Sequence, residues 1–181
     1  MHPLRLTPLP FEQWDDNTRA ALASLIPAER ANPEGAGNVL STLVRNPDLT
    51  RAYLPFNAYL LRGSRLSPRI REVALLRIVL RSDCDYLWTH HLPIARQAGL
   101  TDDDIDGILS GHCSDTHDDV IVCAVDDLVA FHTITQSTWD RLAEFLDENQ
   151  RMDLVFLIGG YQLLALAVNA FGVESESDHS P

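Results

Sequence analysis

The stretch SPRIREVALLRIVLRSDCDYLWTHHLPIARQAGL, from Ser67 to Leu100, decides the fold of this chain. It predicts two helices separated by a polar break at residues 81–83. Ser67 and Pro68 are residue types that favour the N-cap and the first position of a helix. The segment from Ile70 to Leu80 is apolar on nearly every side, which predicts a buried central helix.

This predicted helix pair holds an unusual concentration of chemically reactive side chains. Glu72 falls in the first turn of the first helix, and the second helix, which stops at Gly99, carries a thiol, a phenol and two imidazoles: Cys84, Tyr86, His90 and His91. Residues three, four and seven apart share one face of a helix. One stripe therefore consists of Cys84, Leu87, Trp88 and His91. The adjoining stripe consists of Tyr86 and His90.

The spacing of these residues resembles that of the carboxymuconolactone decarboxylase and alkylhydroperoxidase D superfamily. The peroxidase branch carries a Glu and, about one helix later, the motif Cys-x-x-Cys-x-x-x-His. This chain has Glu72, Cys84, Leu87 in place of the second Cys, and His91. Decarboxylase relatives often place Glu where Leu87 stands. Three flanking segments are also similar to the longer single-domain members: Asn38–Pro47, Pro55–Gly63 and Val155–Glu174.

The resemblance implies an all-α, alkylhydroperoxidase D-like helical bundle and an acid–base role for His91, with Glu72 orienting it or relaying its proton. The ordinary pKa of His suits proton transfer at neutral pH. Leu87 is the main departure, because it removes one proton carrier. His90 or Tyr86 is a candidate to replace that carrier as a second donor or anion stabiliser, although His90 could instead face solvent or another subunit.

Cys84 is the candidate nucleophile of a rival, thiol-dependent reaction. Its place at a helix start predicts a lowered thiol pKa, since amide donors and the helix dipole favour the thiolate. A two-cysteine peroxidase cycle also needs a resolving thiol nearby, and Leu87 cannot provide it. Cys113 and Cys123 could do so only if the fold brought them close.

The expected substrate is a small organic molecule with a hydrophobic or aromatic part. Leu87 and Trp88 are predicted to line its pocket, together with the aromatic residues Tyr53 and Phe56. Candidates for binding an anionic group are Arg77 and Arg81. No cofactor or metal is expected, because the polar loop with His112, Cys113 and His117 matches no standard zinc spacing.

Length and composition favour one cytoplasmic domain over residues 1–181. The net charge of −12 argues against nucleic acid or an anionic membrane as a partner. Three cysteines in no disulfide pattern fit a reducing compartment. The N-terminus lacks the apolar core of a signal peptide, and the apolar run Leu154–Val168 falls short of the roughly 20 residues of a membrane span.

The rest of the chain predicts seven or eight helices and no strands. Residues 1–37 are expected to form an extended arm and an amphipathic helix over Trp14–Ile26, followed by a loop, and the acidic tail 175–181 is expected to be disordered. The remaining predicted helices are 38–45 with an Asn38 cap, 46–61 closed by Gly63, 101–109 opened by a capping box, 119–132, 135–148 and 153–171.

These observations predict a cofactor-free acid–base enzyme, a lyase or isomerase similar to the decarboxylase branch. A thiol peroxidase using Cys84 and a non-catalytic ligand-binding or assembly protein are the alternatives. A homo-oligomer is also expected, a dimer, trimer or hexamer, since two strongly apolar helices are difficult to bury in one small domain and the superfamily forms homo-oligomers. Gly159 and Gly160 are expected where two helices approach most closely.

Overall fold

The structure, a computed structural model, describes residues 3–176, and within this range it contains helices and no strands. Nine α-helices follow one another: α1 (Asp16–Ala20), α2 (Pro33–Leu43), α3 (Pro47–Ala58), α4 (Pro68–Arg81), α5 (Asp85–Gln97), α6 (Asp102–Ser110), α7 (Thr116–Phe131), α8 (Gln136–Ala143) and α9 (Glu148–Phe171). Short 3-10 turns occupy Phe11–Gln13 and Ala28–Arg30, and a π-helical turn, Tyr59–Gly63, continues α3. The all-α prediction is therefore confirmed.

Two compact units make up the chain. The first comprises the residues up to Gly63 and those from Ala167 onward, and its core includes Trp14, Leu22, Ile26, Val44 and Leu54. The second runs from Ser64 to Leu166, and in it α4 packs against α5, α6 and α7. The single domain expected from the sequence stays a prediction.

Helix α4 is the centre of the second unit. The Ser67 side chain accepts a hydrogen bond from the amide of Ile70, and Pro68 occupies the first helical position. Every residue from Glu72 to Val79 is buried. This confirms the predicted central helix and places an acidic side chain inside the apolar interior.

The break between α4 and α5 is sharp because Asp83 adopts a left-handed conformation, with φ of 49°. The amide of Cys84 then bonds to the carbonyl of Val79 at 3.0 Å, and Cys84 becomes the N-cap of α5. Helix α5 ends shortly before Gly99, whose φ of 93° suits glycine. The turn therefore fixes the angle at which α5 returns along α4.

Two further caps match the sequence prediction. Asn46 accepts a bond from the amide of Leu49 at the start of α3. At the start of α6, Thr101 and Asp104 form a reciprocal capping box. Each side chain satisfies an amide that the helix itself leaves open.

Several helix boundaries were wrong. The helix predicted over Trp14–Ile26 is limited to α1, because residues 21–26 turn tightly to bring Leu22 and Ile26 into the core. Helix α2 begins earlier than expected, with Asn32 as its N-cap, and is kinked at Gly37, where φ is 67°. Helix α8 is shorter than predicted and α9 is longer, since it begins at Glu148.

The ends of the described chain meet in the first unit. The amides of Arg5 and Leu6 bond to the carbonyl of Phe171, and Asn38 binds Glu174 and Glu176 rather than capping a helix. The predicted arm includes residues 1–2 and the predicted disordered tail includes residues 177–181, which lie outside the described residues.

Helix α9 is longer and more apolar than the sequence run suggested. By length and composition it could cross a membrane, with a mean hydropathy of 1.9 over its most apolar 18 residues, of which 44% are buried. The expectation that this run is too short therefore does not hold for the helix as a whole. One face nevertheless belongs to the second unit, where the buried Asp153 accepts a bond from the Arg65 amide at 2.7 Å.

Candidate functional site

A hydrogen bond between α4 and α5 forms the centre of the candidate site. The Nδ1 atom of His91 lies 3.0 Å from Oε2 of Glu72. Glu72 is fully buried and His91 is only 5% exposed. Burial of a polar pair is tolerated when its members bond to each other. The structure thus brings together the two residues that the sequence predicted to act together.

The second oxygen of the Glu72 carboxylate is bound by Arg71, the preceding residue of α4. Nε of Arg71 donates to Oε1 of Glu72 at 3.1 Å, and the Arg71 side chain is 16% exposed. Glu72 is therefore an acceptor on both sides. Because a carboxylate only accepts hydrogen bonds, this pairing requires the hydrogen on Nδ1 of His91.

Tyr161 of α9 is the site residue that sequence reasoning missed as a partner of His91. Its ring meets the His91 ring edge to face, with centroids 5.4 Å apart and planes at 90°. Tyr161 is 2% exposed, so this contact fixes the imidazole from a second side. The two residues are seventy positions apart, and helical periodicity alone gives no signal for such a pair.

His90 and Tyr86 lie on the adjoining stripe of α5, as predicted. Their rings stack with centroids 6.2 Å apart, and the His90 ring meets the His91 ring at 5.6 Å. His90 is exposed and Tyr86 is buried. The geometry allows His90 to exchange protons with solvent close to His91, while its role in a reaction stays a prediction.

The thiol of Cys84 differs from the sequence expectation. Burial raises its pKa above the usual value; the amide of Leu87 opposes this shift, and the carboxylate of Asp85 adds to it. The expectation of a lowered pKa was wrong because Cys84 is only 2% exposed and desolvation outweighs the helix terminus. Among the described residues, no hydrogen bond joins this thiol to His91.

The other two cysteines also have raised thiol pKa values. Burial and the nearby carboxylates of Asp118 and Asp119 raise the pKa of Cys113 to about 11. Burial is the first cause for Cys123 as well. Neither thiol has the lowered pKa typical of a reactive cysteine.

The predicted pocket residues fall in both units. Leu87 is buried and Trp88 is half-buried on α5. Tyr53 belongs to the first unit, where Asn57 donates to its hydroxyl at 3.2 Å and burial raises its pKa to about 12. Phe56 is 36% exposed. Their contact with a substrate stays a prediction.

Arg77 and Arg81 have other partners than a substrate anion. Arg77 is buried, forms an ion pair with Asp126 and donates to the carbonyl of Ile108. Arg81 lies 3.6 Å from Asp126. Arg77 therefore links α4 to α6 and α7. Since both arginines face Asp126, neither is favoured as the binding residue for a substrate anion.

The two histidines in and just after the polar loop before α7 have side-chain partners of their own. His112 pairs with Asp119 at 2.8 Å, and His117 stacks on Phe145. The described residues contain no group of three or more His, Cys, Asp or Glu side chains placed to hold a metal ion. A cavity of about 450 Å³ lies elsewhere in the second unit, near His132 and Trp139, and contains none of the predicted site residues.

The segment that carries the candidate site is similar in sequence to a known protein family. The sequence model of the carboxymuconolactone decarboxylase family matches residues 47–116, a segment that includes Glu72, Cys84 and His91. Over this segment the chain is similar to that family. No curated protein matches its sequence.

Two solved structures have a similar fold. One is an uncharacterized peroxidase-related protein with an alkylhydroperoxidase AhpD core from Ralstonia eutropha JMP134, with a TM-score of 0.75, 17% identity, and coverage of 98% of this chain and 95% of that chain. The other is a protein of unknown function from Agrobacterium tumefaciens, described as a candidate antioxidant-defence protein AhpD, with a TM-score of 0.67, 15% identity, and coverage of 74% and 94%. At these identities the likeness concerns the fold. The matched family includes decarboxylases and peroxidase-like members, and the fold alone does not distinguish between these activities.

Proposed function

We propose that this protein is a cofactor-free acid–base enzyme of the lyase or isomerase class that acts on a small, partly hydrophobic organic molecule. Decarboxylation, elimination and a double-bond shift next to a carbonyl share one requirement, a positioned group that gives or takes a proton. In this proposal His91 is that group. The buried His91–Glu72 hydrogen bond is the observation that carries the proposal.

The assignment of roles follows from the bonds that Glu72 makes. Because Arg71 and His91 both bond to its carboxylate, Glu72 acts as a fixed anchor that orients the imidazole. The Nε2 atom of His91 then exchanges the proton with substrate. Tyr161 restricts rotation of the ring from the other side. Preorganisation of this kind lowers the cost of reaching the reactive geometry.

The thiols support the proton-transfer proposal over a peroxidase. A peroxidase needs a thiolate at neutral pH, whereas burial raises the pKa of Cys84. Leu87 also occupies the position of the second thiol in the peroxidase motif. Under this proposal the Cys84 thiol fills space and bonds locally at the start of α5.

We also propose that the protein is a homo-oligomer that pairs through α9. Its exposed face carries apolar or small residues at alternating intervals of four and three: Met152, Phe156, Gly159, Leu163 and Leu166. This spacing is the seam pattern of paired helices. A Cβ added to Gly159 would meet nothing within 4 Å in the single chain, which leaves room for another helix to approach. A second copy offers a matching stripe.

The experiment that tests the function compares variants with one substrate panel. The panel contains small lactones and carboxylic acids with a carbonyl or double bond beside the acid, together with organic hydroperoxides. Turnover that requires His91 and tolerates Cys84→Ser supports the proposal. The opposite dependence identifies a thiol peroxidase, and no turnover by the wild-type protein favours a non-catalytic protein.

A further inference from the structure

Helix α4 carries four arginines, two of which bind carboxylates through the ends of their side chains: Arg69 bonds to Asp104 and Asp118, and Arg77 bonds to Asp126. Arg81 approaches Asp126 through Nε at 3.6 Å, and its side chain is 40% exposed. Arg71 is the covered one of the remaining two, with 16% of its side chain exposed. Its Nε bonds to Glu72, and its terminal nitrogens Nη1 and Nη2 bond to no group among the described residues.

We propose that the terminal nitrogens of Arg71 form an anion-binding subsite that holds a carboxylate of the substrate beside His91; this inference rests on the proposed function. A guanidinium has five N–H donors, and bonding through Nε leaves the planar pair of Nη groups to bind a carboxylate with two parallel bonds. The Arg71 side chain is mostly covered, which reduces competition from water.

The bonding of Glu72 explains why this arginine is held in place. The carboxylate accepts from Arg71 on Oε1 and from His91 on Oε2, so one buried group sets the positions of both. The proposed subsite is therefore built on the same buried acid that holds the imidazole.

Because the chain is acidic overall, binding of an anionic ligand requires a local positive charge. The net charge is −12, so an anionic ligand gains nothing from the average surface potential. The subsite thus selects a carboxylate by direct bonding. It also replaces the assignment to Arg77 and Arg81, whose guanidinium groups face Asp126.

Binding of benzoate tests the subsite without any turnover, with benzamide as the uncharged probe of the same shape. Titrations followed by ¹H–¹⁵N NMR should show that the wild-type protein binds benzoate at least about tenfold more tightly than benzamide. Arg71→Gln should weaken benzoate binding by about tenfold or more and leave benzamide unchanged. Arg81→Gln, an exposed arginine on the same helix, is the matched control and should change benzoate binding by less than about twofold.

Two further variants complete the experiment. Arg71→Lys keeps the charge and loses the planar fork, so it should bind benzoate more weakly than the wild type and decides the question if Arg71→Gln does not fold. His91→Gln should retain benzoate binding, which separates this subsite from the proposed reaction. Equal affinity of the wild type for benzoate and benzamide, absence of benzoate binding, or benzoate binding unaffected by the Arg71 variants would overturn the inference.

Discussion

His91 and Glu72 are joined by a 3.0 Å hydrogen bond that links α5 to α4 at a fully buried carboxylate. The same carboxylate accepts a bond from Arg71. One buried acid therefore connects the candidate proton carrier to a charged neighbour, and changes at this acid should affect both catalysis and stability.

Glu72→Gln should lower kcat by about tenfold to a hundredfold with little change in KM, because the neutral amide no longer fixes the tautomer and orientation of His91. Steady-state kinetics on a substrate identified from the panel measure this split. Asp85→Asn removes an exposed carboxylate from the first turn of α5 and is the control, with kcat within about twofold of the wild type. A kcat unchanged by Glu72→Gln would show that the hydrogen bond is only structural.

Glu72→Ala should destabilise the fold by about 3 kcal/mol, because it leaves two covered donors, on Arg71 and His91, without their acceptor. Urea denaturation followed by circular dichroism measures the free energy of unfolding. A loss below about 0.5 kcal/mol would mean that water replaces the carboxylate at little cost.

The raised pKa of Cys84 predicts a slow reaction with iodoacetamide at neutral pH. Its rate in the folded protein should be at least about tenfold below that of free cysteine at pH 7, and should rise steeply only above the ordinary thiol pKa. Mass spectrometry of Cys113→Ser/Cys123→Ser isolates this site. Rapid alkylation at pH 7 would contradict the buried, protonated thiol and favour the peroxidase alternative.

The pKa of Cys113, raised to about 11, predicts a loss of stability at alkaline pH. Between the ordinary thiol pKa and this value, the unfolded chain releases a proton that the folded chain keeps, so stability falls as pH rises. The loss in the free energy of unfolding is negligible near pH 8 and reaches about 2 kcal/mol near pH 10.5. Urea denaturation at a series of pH values measures this loss. Cys113→Ser should remove the part of the pH dependence of the unfolding free energy that comes from this thiol, whereas Ser114→Ala at the exposed neighbouring position should keep it.

The exposed stripe of α9 predicts self-association through Leu163, which is 56% exposed in the single chain. Leu163→Asp should shift the protein toward monomers in light scattering at micromolar concentration, because it places a charge in an apolar contact. Gln162→Asp changes the adjacent exposed position outside the stripe and should leave the assembly intact. A wild-type monomer of 20.2 kDa, or recovery of the protein in the membrane fraction, would contradict this proposal.

Local sequence signals predicted the helix pair because the determinants are local. Ser67 caps α4 and Thr101 caps α6 through bonds to amides three residues away, and such spacings are visible in the sequence. The failure over Trp14–Ile26 has the opposite cause. There, packing of Leu22 and Ile26 into the core overrides a helical pattern.

The site was only partly predictable for the same physical reason. Glu72 and His91 emerged because a motif spacing links them, whereas the contact of His91 with Tyr161 depends on how α9 packs. The pKa of Cys84 was predicted in the wrong direction, since burial is a property of the folded unit and not of the helix start. The terminal nitrogens of Arg71 become distinctive only once the partners of Arg69 and Arg77 and the burial of Arg71 beside Glu72 are known.

The most direct measurement of the central claim is kcat/KM of His91→Ala and Cys84→Ser on the same substrate, with folding of both variants checked by circular dichroism. Proton transfer by His91 predicts a loss of at least about a hundredfold for His91→Ala and a change within about threefold for Cys84→Ser. A protein that keeps its activity without His91, or loses it with the Cys84 thiol, would contradict the account.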